Sequence, residues 1–224
     1  IIDGKAISQA IKDEVKREVE GLSGQGITVT LAVVQVGSNP ASTVYVNNKK
    51  KACAYTGIRS LSYNLPENAS QEELLSLIAE LNGRADVNGI LVQLPLPSHM
   101  NEDAVIGAIS PEKDVDGFHP QNVGALCIGK PGFVPCTPAG IIELLKRSGI
   151  EIAGKECVMI GRSNIVGKPM ALLLLKENGT VTVAHSRTAD LKTVARRADI
   201  LVVAIGKAKM ITAEYVKPGA AVID

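Results

Sequence analysis

Short runs of aliphatic, largely β-branched residues recur along this sequence, and amphipathic helical stretches separate them. This alternation constrains the fold more than any other feature. A strand, a helix of crossover length and a second strand make the strands parallel, with helices covering the sheet. The runs in the first half are ITVTLAVVQVG (27–37), IRSLSYNL (58–65) and GILVQLPL (89–96). Those in the second are ECVMIG (156–161), TVTVAHS (180–186), DILVVAIG (199–206) and AAVID (220–224). Apolar spacing at Ile7, Ala10, Ile11, Val15 and Val19 predicts a first helix over 6–19. Further helices are expected over 71–81 and 167–177, with others ending at Lys146 and Arg197 and a short one before the last strand.

Between 99 and 138 the texture changes. Gly and Pro recur every few residues, and this segment reads as loop. Thr137 can cap a helix that has Pro138 at its first position, which sets the domains at 1–137 and 138–224. The second outlines a doubly wound nucleotide-binding sheet. Such a sheet places ligands at the C-terminal ends of its strands. The sequence stops there, at Asp224, so either the protein ends abruptly or a further segment follows.

Composition removes several classes of function. A net charge of +1 offers no global field for nucleic acid or an anionic membrane. With no Trp and 2 Phe there is no stacking platform for single strands. No apolar run reaches membrane-spanning length. Cys53, Cys127, Cys136 and Cys157 lie far apart, with no CxxC and no His at ligand spacing. They read as core residues of a cytoplasmic protein, and no metal site is expected.

GRSNIVGKPM (161–170) follows a strand and opens a helix. Gly161 lets the backbone turn sharply and approach a pyrophosphate, while the helix offers N–H groups and the positive end of its dipole. Relative to G-x-G-x-x-G, Ser163 replaces the second glycine and Gly167 is displaced. The next strand ends in Ser186 and Arg187, where an NAD enzyme carries a carboxylate for the ribose 2′-hydroxyl. Together with Arg162 in the loop, these groups suit a 2′-phosphate, so NADP is expected rather than NAD.

Residues 39–57 read as a helix, with Asn39 as cap, Pro40 at its start and Gly57 as stop. It carries Lys49, Lys50 and Lys51 in a row, ordinarily a solvated face. Tyr45, Lys49 and Cys53 share one stripe, and Lys51 looks solvated. Lys50 neighbours Val46 and Cys53, so periodicity does not separate Lys49 from Lys50.

YVNNK, GILVQLPLP, PEKDVDGFHPQNVG, PCTPAGI and GRSNIVGKPMA occur here in one order. In that order and spacing the chain resembles, over its whole length, the methylenetetrahydrofolate dehydrogenase/methenyltetrahydrofolate cyclohydrolase family, bacterial type. The resemblance implies an N-terminal α/β folate domain, a Rossmann-like NADP domain, a cleft between them, and a homodimer. It implies oxidation of 5,10-methylenetetrahydrofolate with NADP, then hydrolysis of the methenyl product to 10-formyltetrahydrofolate. Carried over by motif, Lys49 is the catalytic lysine, Tyr45 stacks on the folate, and Gln93 holds the lysine. Val92 and Leu94 line the site through backbone groups, and Asp116 binds the pterin. Gly161, Arg162, Ser163, Ser186 and Arg187 hold the cofactor. The family also continues beyond this end with a Gly- and Pro-rich segment that helps close the folate site.

The loop GRSNIVGKP alone also allows an NADP-dependent oxidoreductase of another small substrate, or a non-catalytic NADP-binding module. YVNNK with VQLPLP argues against the first, and the set Tyr45, Lys49, Gln93 and Asp116 against the second.

Overall fold

The computed structural model describes residues 1–224, the side chain of Ala41 excepted. Helix α1 (Gly4–Ser23) leads to β1 (Thr30–Val36), α2 (Pro40–Thr56), β2 (Arg59–Leu65), α3 (Gln71–Gly83) and β3 (Gly89–Val92). Two short helices follow, α4 (Glu102–Ala108) and α5 (Pro120–Cys127). Then come α6 (Cys136–Arg147), β4 (Glu156–Ile160), α7 (Gly167–Lys176), β5 (Thr180–Ala184), α8 (Leu191–Ala195), β6 (Ile200–Val203) and β7 (Ala221–Ile223). One 3₁₀ turn, Ala213–Tyr215, precedes β7. The chain forms two compact units, one of residues 4–121 and one of residues 122–224 together with 1–3.

In the first unit the strand order is β2-β1-β3, all parallel. Strand alternation sends Ala32, Val34, Val36, Ile90 and Val92 to one face, where Leu74, Ile78, Leu81 and Val105 complete a buried core. Val33 and Leu91 point the other way and meet Val46 of α2. Helix α2 is therefore seated by the stripe Ser42, Val46, Cys53 and Thr56, all of them buried. Its N-terminus is capped as expected, with Asn39 Oδ1 accepting from Ser42 N at 3.2 Å. Gly57 ends it at φ +84°, a left-handed conformation that favours glycine. Helix α3 begins with a capping box, Ser70 Oγ accepting from Glu73 N and Glu73 Oε2 from Ser70 N.

The second unit is a parallel sheet in the order β5-β4-β6-β7. Cys157, Met159, Ile200 and Val202 pack against Ile141, Ile142 and Leu145 of α6 and Met170, Leu173 and Leu174 of α7. Val158, Ile160, Leu201 and Val203 pack on the opposite face against Ala195 and Ala198. Both faces are covered, as doubly wound winding requires.

Four expectations are corrected. The segment 99–138 is not all loop. Asn101 caps α4 by accepting from Ala104 N at 3.1 Å, and α4 and α5 each bury one apolar anchor, Val105 and Leu126. The third strand ends at Val92, because Pro95 and Pro97 have no N–H to extend a ladder. Helix α6 starts at Cys136, after Pro135 and without a side-chain cap, so Thr137 lies inside its first turn. Cys53 and Cys157 are buried, but Cys127 and Cys136 are exposed, so only two of the four are core residues.

Candidate functional site

In the first unit the chemistry gathers at the C-terminal ends of β1 and β3. Beyond β3, Gln93 N donates to Val34 O at 2.8 Å, which carries the ladder one residue further. The Gln93 side chain is thereby placed facing α2. Its Oε1 accepts from Lys49 Nζ at 3.1 Å, and its Nε2 donates to Leu94 O at 2.7 Å. The amide is held at both ends, and so is the direction in which it offers its oxygen. Lys49 and Lys50 are both half-buried and Lys51 is exposed. Of the two covered lysines, it is Lys49 that meets Gln93. Tyr45, one turn earlier, is 63% exposed and presents its ring to solvent.

Asp116 lies in the loop after α4, within range of the charge of Lys49. Burial pushes its carboxyl up to about 6; the charge of Lys49 pulls it down and that of Asp114 pushes it further up. The loop is built tightly. Lys113 O accepts from Ile90 N at 2.7 Å, and Asp114 Oδ2 accepts from His119 N at 2.8 Å. Asp114 is 2% exposed, and a β-carbon on Gly89 would overlap Val115 Cγ1. Sequence reading passed over Lys113, Asp114 and Gly89. The signal was there in GILV and KDVDG, but nothing in one dimension says that these two segments touch. Val92 is buried and Leu94 half-buried beside Gln93.

In the second unit, the loop after β4 lies at the switch point, since β5 is on one side of β4 and β6 on the other. Gly161 has φ +132°, and a β-carbon there would stand 2.6 Å from Ala204 O. One on Gly167 would stand 2.5 Å from Gly161 O. Both glycines are needed for the turn and for the approach of α7 to it. Ser163 Oγ accepts from Val166 N and Gly167 N, each at 3.2 Å, so these helix N–H groups are already engaged. That corrects the expectation of a wholly free helix terminus: the dipole remains, but its first donors face the serine.

A cavity of about 250 Å³ opens beside this loop. Ile160, Leu191, Ile205 and Met210 form apolar walls, and Arg162, Lys207, His185 and Ser186 supply polar groups. No carboxylate lines it among the described residues. The glycine turn, the cations and the hydroxyl fit a dinucleotide bearing an extra phosphate. Gly161, Arg162 and Ser186 thus come together. Arg187 is exposed in the turn beyond, its N–H donating to His185 Nδ1 at 3.1 Å, and it does not line the cavity. His185, Lys207 and the apolar walls escaped sequence reading, because they converge from three separate strand ends. Among the described residues, no three His, Cys, Asp or Glu side chains group as a metal site, and no helix is long and apolar enough to cross a membrane.

Residues 2–116 match the family model of the tetrahydrofolate dehydrogenase/cyclohydrolase catalytic domain, and residues 135–224 that of the family's NAD(P)-binding domain. The bifunctional protein FolD of Lachnoclostridium phytofermentans is 69% identical over the whole chain, which covers 79% of that protein. A bifunctional FolD methylenetetrahydrofolate dehydrogenase/cyclohydrolase crystal structure from Campylobacter jejuni superposes with a TM-score of 0.97 at 50% identity, covering 100% of this chain and 79% of that one. The Trypanosoma brucei dehydrogenase-cyclohydrolase, solved with NADP cofactor and inhibitor, gives 0.95 at 42% identity, covering 99% and 77%. On the paired domain matches and these identities, the chain belongs to the tetrahydrofolate dehydrogenase/cyclohydrolase family.

Proposed function

We infer that this protein oxidises 5,10-methylenetetrahydrofolate to 5,10-methenyltetrahydrofolate with NADP and hydrolyses that product to 10-formyltetrahydrofolate. The observation that carries the reading is the Lys49–Gln93 hydrogen bond, with a largely buried Asp116 carboxyl that feels the charge of Lys49, in a chain whose two halves match the family's two domains. The folate work is assigned to 1–137 and cofactor binding to 138–224.

Bound NADP accepts the hydride from the methylene carbon and so supplies the redox chemistry. The remaining needs fall on the chain. Loss of hydride leaves a cation shared between N5 and N10 of the folate. Water adds to the carbon and gives up a proton; the C–N5 bond then breaks as N5 takes one up and the new hydroxyl loses its own, which leaves the N10-formyl group and releases one proton net. Lys49, covered on one side and oriented by Gln93, moves these protons. Tyr45 gives the flat folate a face to stack on, and the Asp116 carboxylate accepts from the pterin N–H groups. Backbone groups of Val92 and Leu94 border the ring.

In the second unit, Gly161 admits the pyrophosphate, while Arg162 and Ser186 take the 2′-phosphate. Ser163, with its acceptor side occupied, still has a proton to donate. Arg187 contributes charge from outside the cavity. A homodimer in the cytoplasm belongs to the same reading and is supported by the family membership.

Mixing protein, 5,10-methylenetetrahydrofolate and NADP tests it by absorbance. The expected result is a methenyl band that rises and then decays. No band, with NADP binding intact by calorimetric titration, overturns the reading in favour of a cofactor-binding module.

A further inference from the structure

The ammonium of Lys113 has an unusual set of partners. It donates to Leu81 O at 3.2 Å, Asn82 O at 2.9 Å and Arg84 O at 2.7 Å. All three of its protons are directed at main-chain carbonyls around the C-terminus of α3, where the negative end of the dipole favours a cation and where Leu81 O and Arg84 O also accept N–H groups at 3.3 Å. Asn82 ties the same helix end to the preceding turn, donating to Ala108 O at 2.8 Å and accepting from Ser110 N at 2.9 Å. Helix α3 is itself fixed in the core by Leu74, Ile78 and Leu81, each of them 0% exposed. The loop that begins at Lys113 therefore starts from a rigid anchor.

From there the loop has little freedom for three residues. Lys113 O pairs with β3, Val115 sits over Gly89 in space a β-carbon would take, and Asp114 is buried with its carboxylate on His119 N. The next side chain is Asp116.

We propose that Lys113 is a positioning residue for the folate site: by clamping the loop to the end of α3, it fixes where the Asp116 carboxyl stands. The proposal rests on the reading that Asp116 holds the folate. Lys113 acts through the main chain and touches neither substrate nor cofactor.

Full-length Lys113→Met, Lys113→Arg, Gly89→Ala and Asp116→Asn are titrated calorimetrically with tetrahydrofolate, which carries no one-carbon group to turn over, and, separately, with NADP. Lys113→Met keeps the stem and removes the ammonium. Its folate Kd is expected to rise about tenfold, the scale of a small misplacement of a binding group. Lys113→Arg, which restores donors to the carbonyls, recovers most of the loss. NADP Kd is unchanged in both. Gly89→Ala leaves the ammonium in place but displaces Val115, and it weakens folate in the same direction.

Wild-type folate affinity in Lys113→Met, with Asp116→Asn weakened, overturns the positioning role and leaves the site reading standing. Wild-type affinity in Asp116→Asn overturns both. Equal loss for folate and NADP marks general destabilisation and overturns the proposal. Should Lys113→Met fail to fold, Gly89→Ala decides: an unchanged folate Kd sinks it.

Discussion

At the scale of single residues, three adjacent lysines on one helix meet different surroundings. Lys49 is half-buried and bonded to Gln93, while Lys51 is exposed. Lys49→Met is expected to lower cyclohydrolase turnover by about 10²–10⁴, the usual share of a positioned proton carrier. Lys51→Met, assayed alongside for formation and decay of the methenyl band, should stay near wild type; equal losses would remove Lys49 from its role. Asp116 carries a pH signature. Its folded carboxyl titrates at about 6 against an ordinary 3.8, so between those values the folded state holds a proton that the unfolded state has released. Stability from this group is thus fully present below the unfolded value and falls as pH rises through about 6. Asp116→Asn should melt higher than wild type at pH 7.5 and no higher at pH 4, by calorimetry. Wild-type folate affinity is expected to increase as pH rises through about 6 and Asp116 ionises, and Asp116→Asn should lose that increase. In sequence, Lys49 and Lys50 were equivalent by periodicity. What separates them is a glutamine 44 residues away, and no helical wheel contains it.

At the scale of elements, the turn from β4 into α7 depends on missing side chains. Gly167→Ala puts a β-carbon 2.5 Å from Gly161 O and 2.7 Å from Arg162 Cα, both backbone contacts that cannot swing aside. NADP affinity is expected to fall at least about tenfold by calorimetric titration, with folate affinity unchanged, since the glycine lets the cofactor's phosphates come close. Helix α3, which anchors the Asp116 loop, offers a second test. Ser70→Ala removes one half of the capping box and should cost about 1 kcal/mol in denaturant unfolding. The long elements were legible because many residues repeat one period. Helices α4 and α5 were not: at 7 and 8 residues each spans two turns, too short to show a stripe among the surrounding prolines and glycines.

At the scale of the whole molecule, each unit has its own core. Leu74 is fully buried in the first and Leu174 in the second. Leu74→Ala is expected to destabilise its unit by about 2–5 kcal/mol, the cost of a cavity in a packed core. NADP titration below the melting transition should give the wild-type Kd, and a matching loss of NADP affinity would show that the two cores fold as one.

Alternation of apolar runs with amphipathic stretches was enough to determine parallel sheets, because period and crossover length are local properties of a chain. So was the glycine turn after β4 and the absence of a carboxylate after β5. Tertiary structure alone decided which lysine meets Gln93, how Lys113 and Gly89 govern Asp116, and that His185 and Lys207 share a cavity with Arg162. These are contacts between residues far apart in sequence, made when β3 comes to lie beside β1 and β6 beside β4, and no local period encodes them.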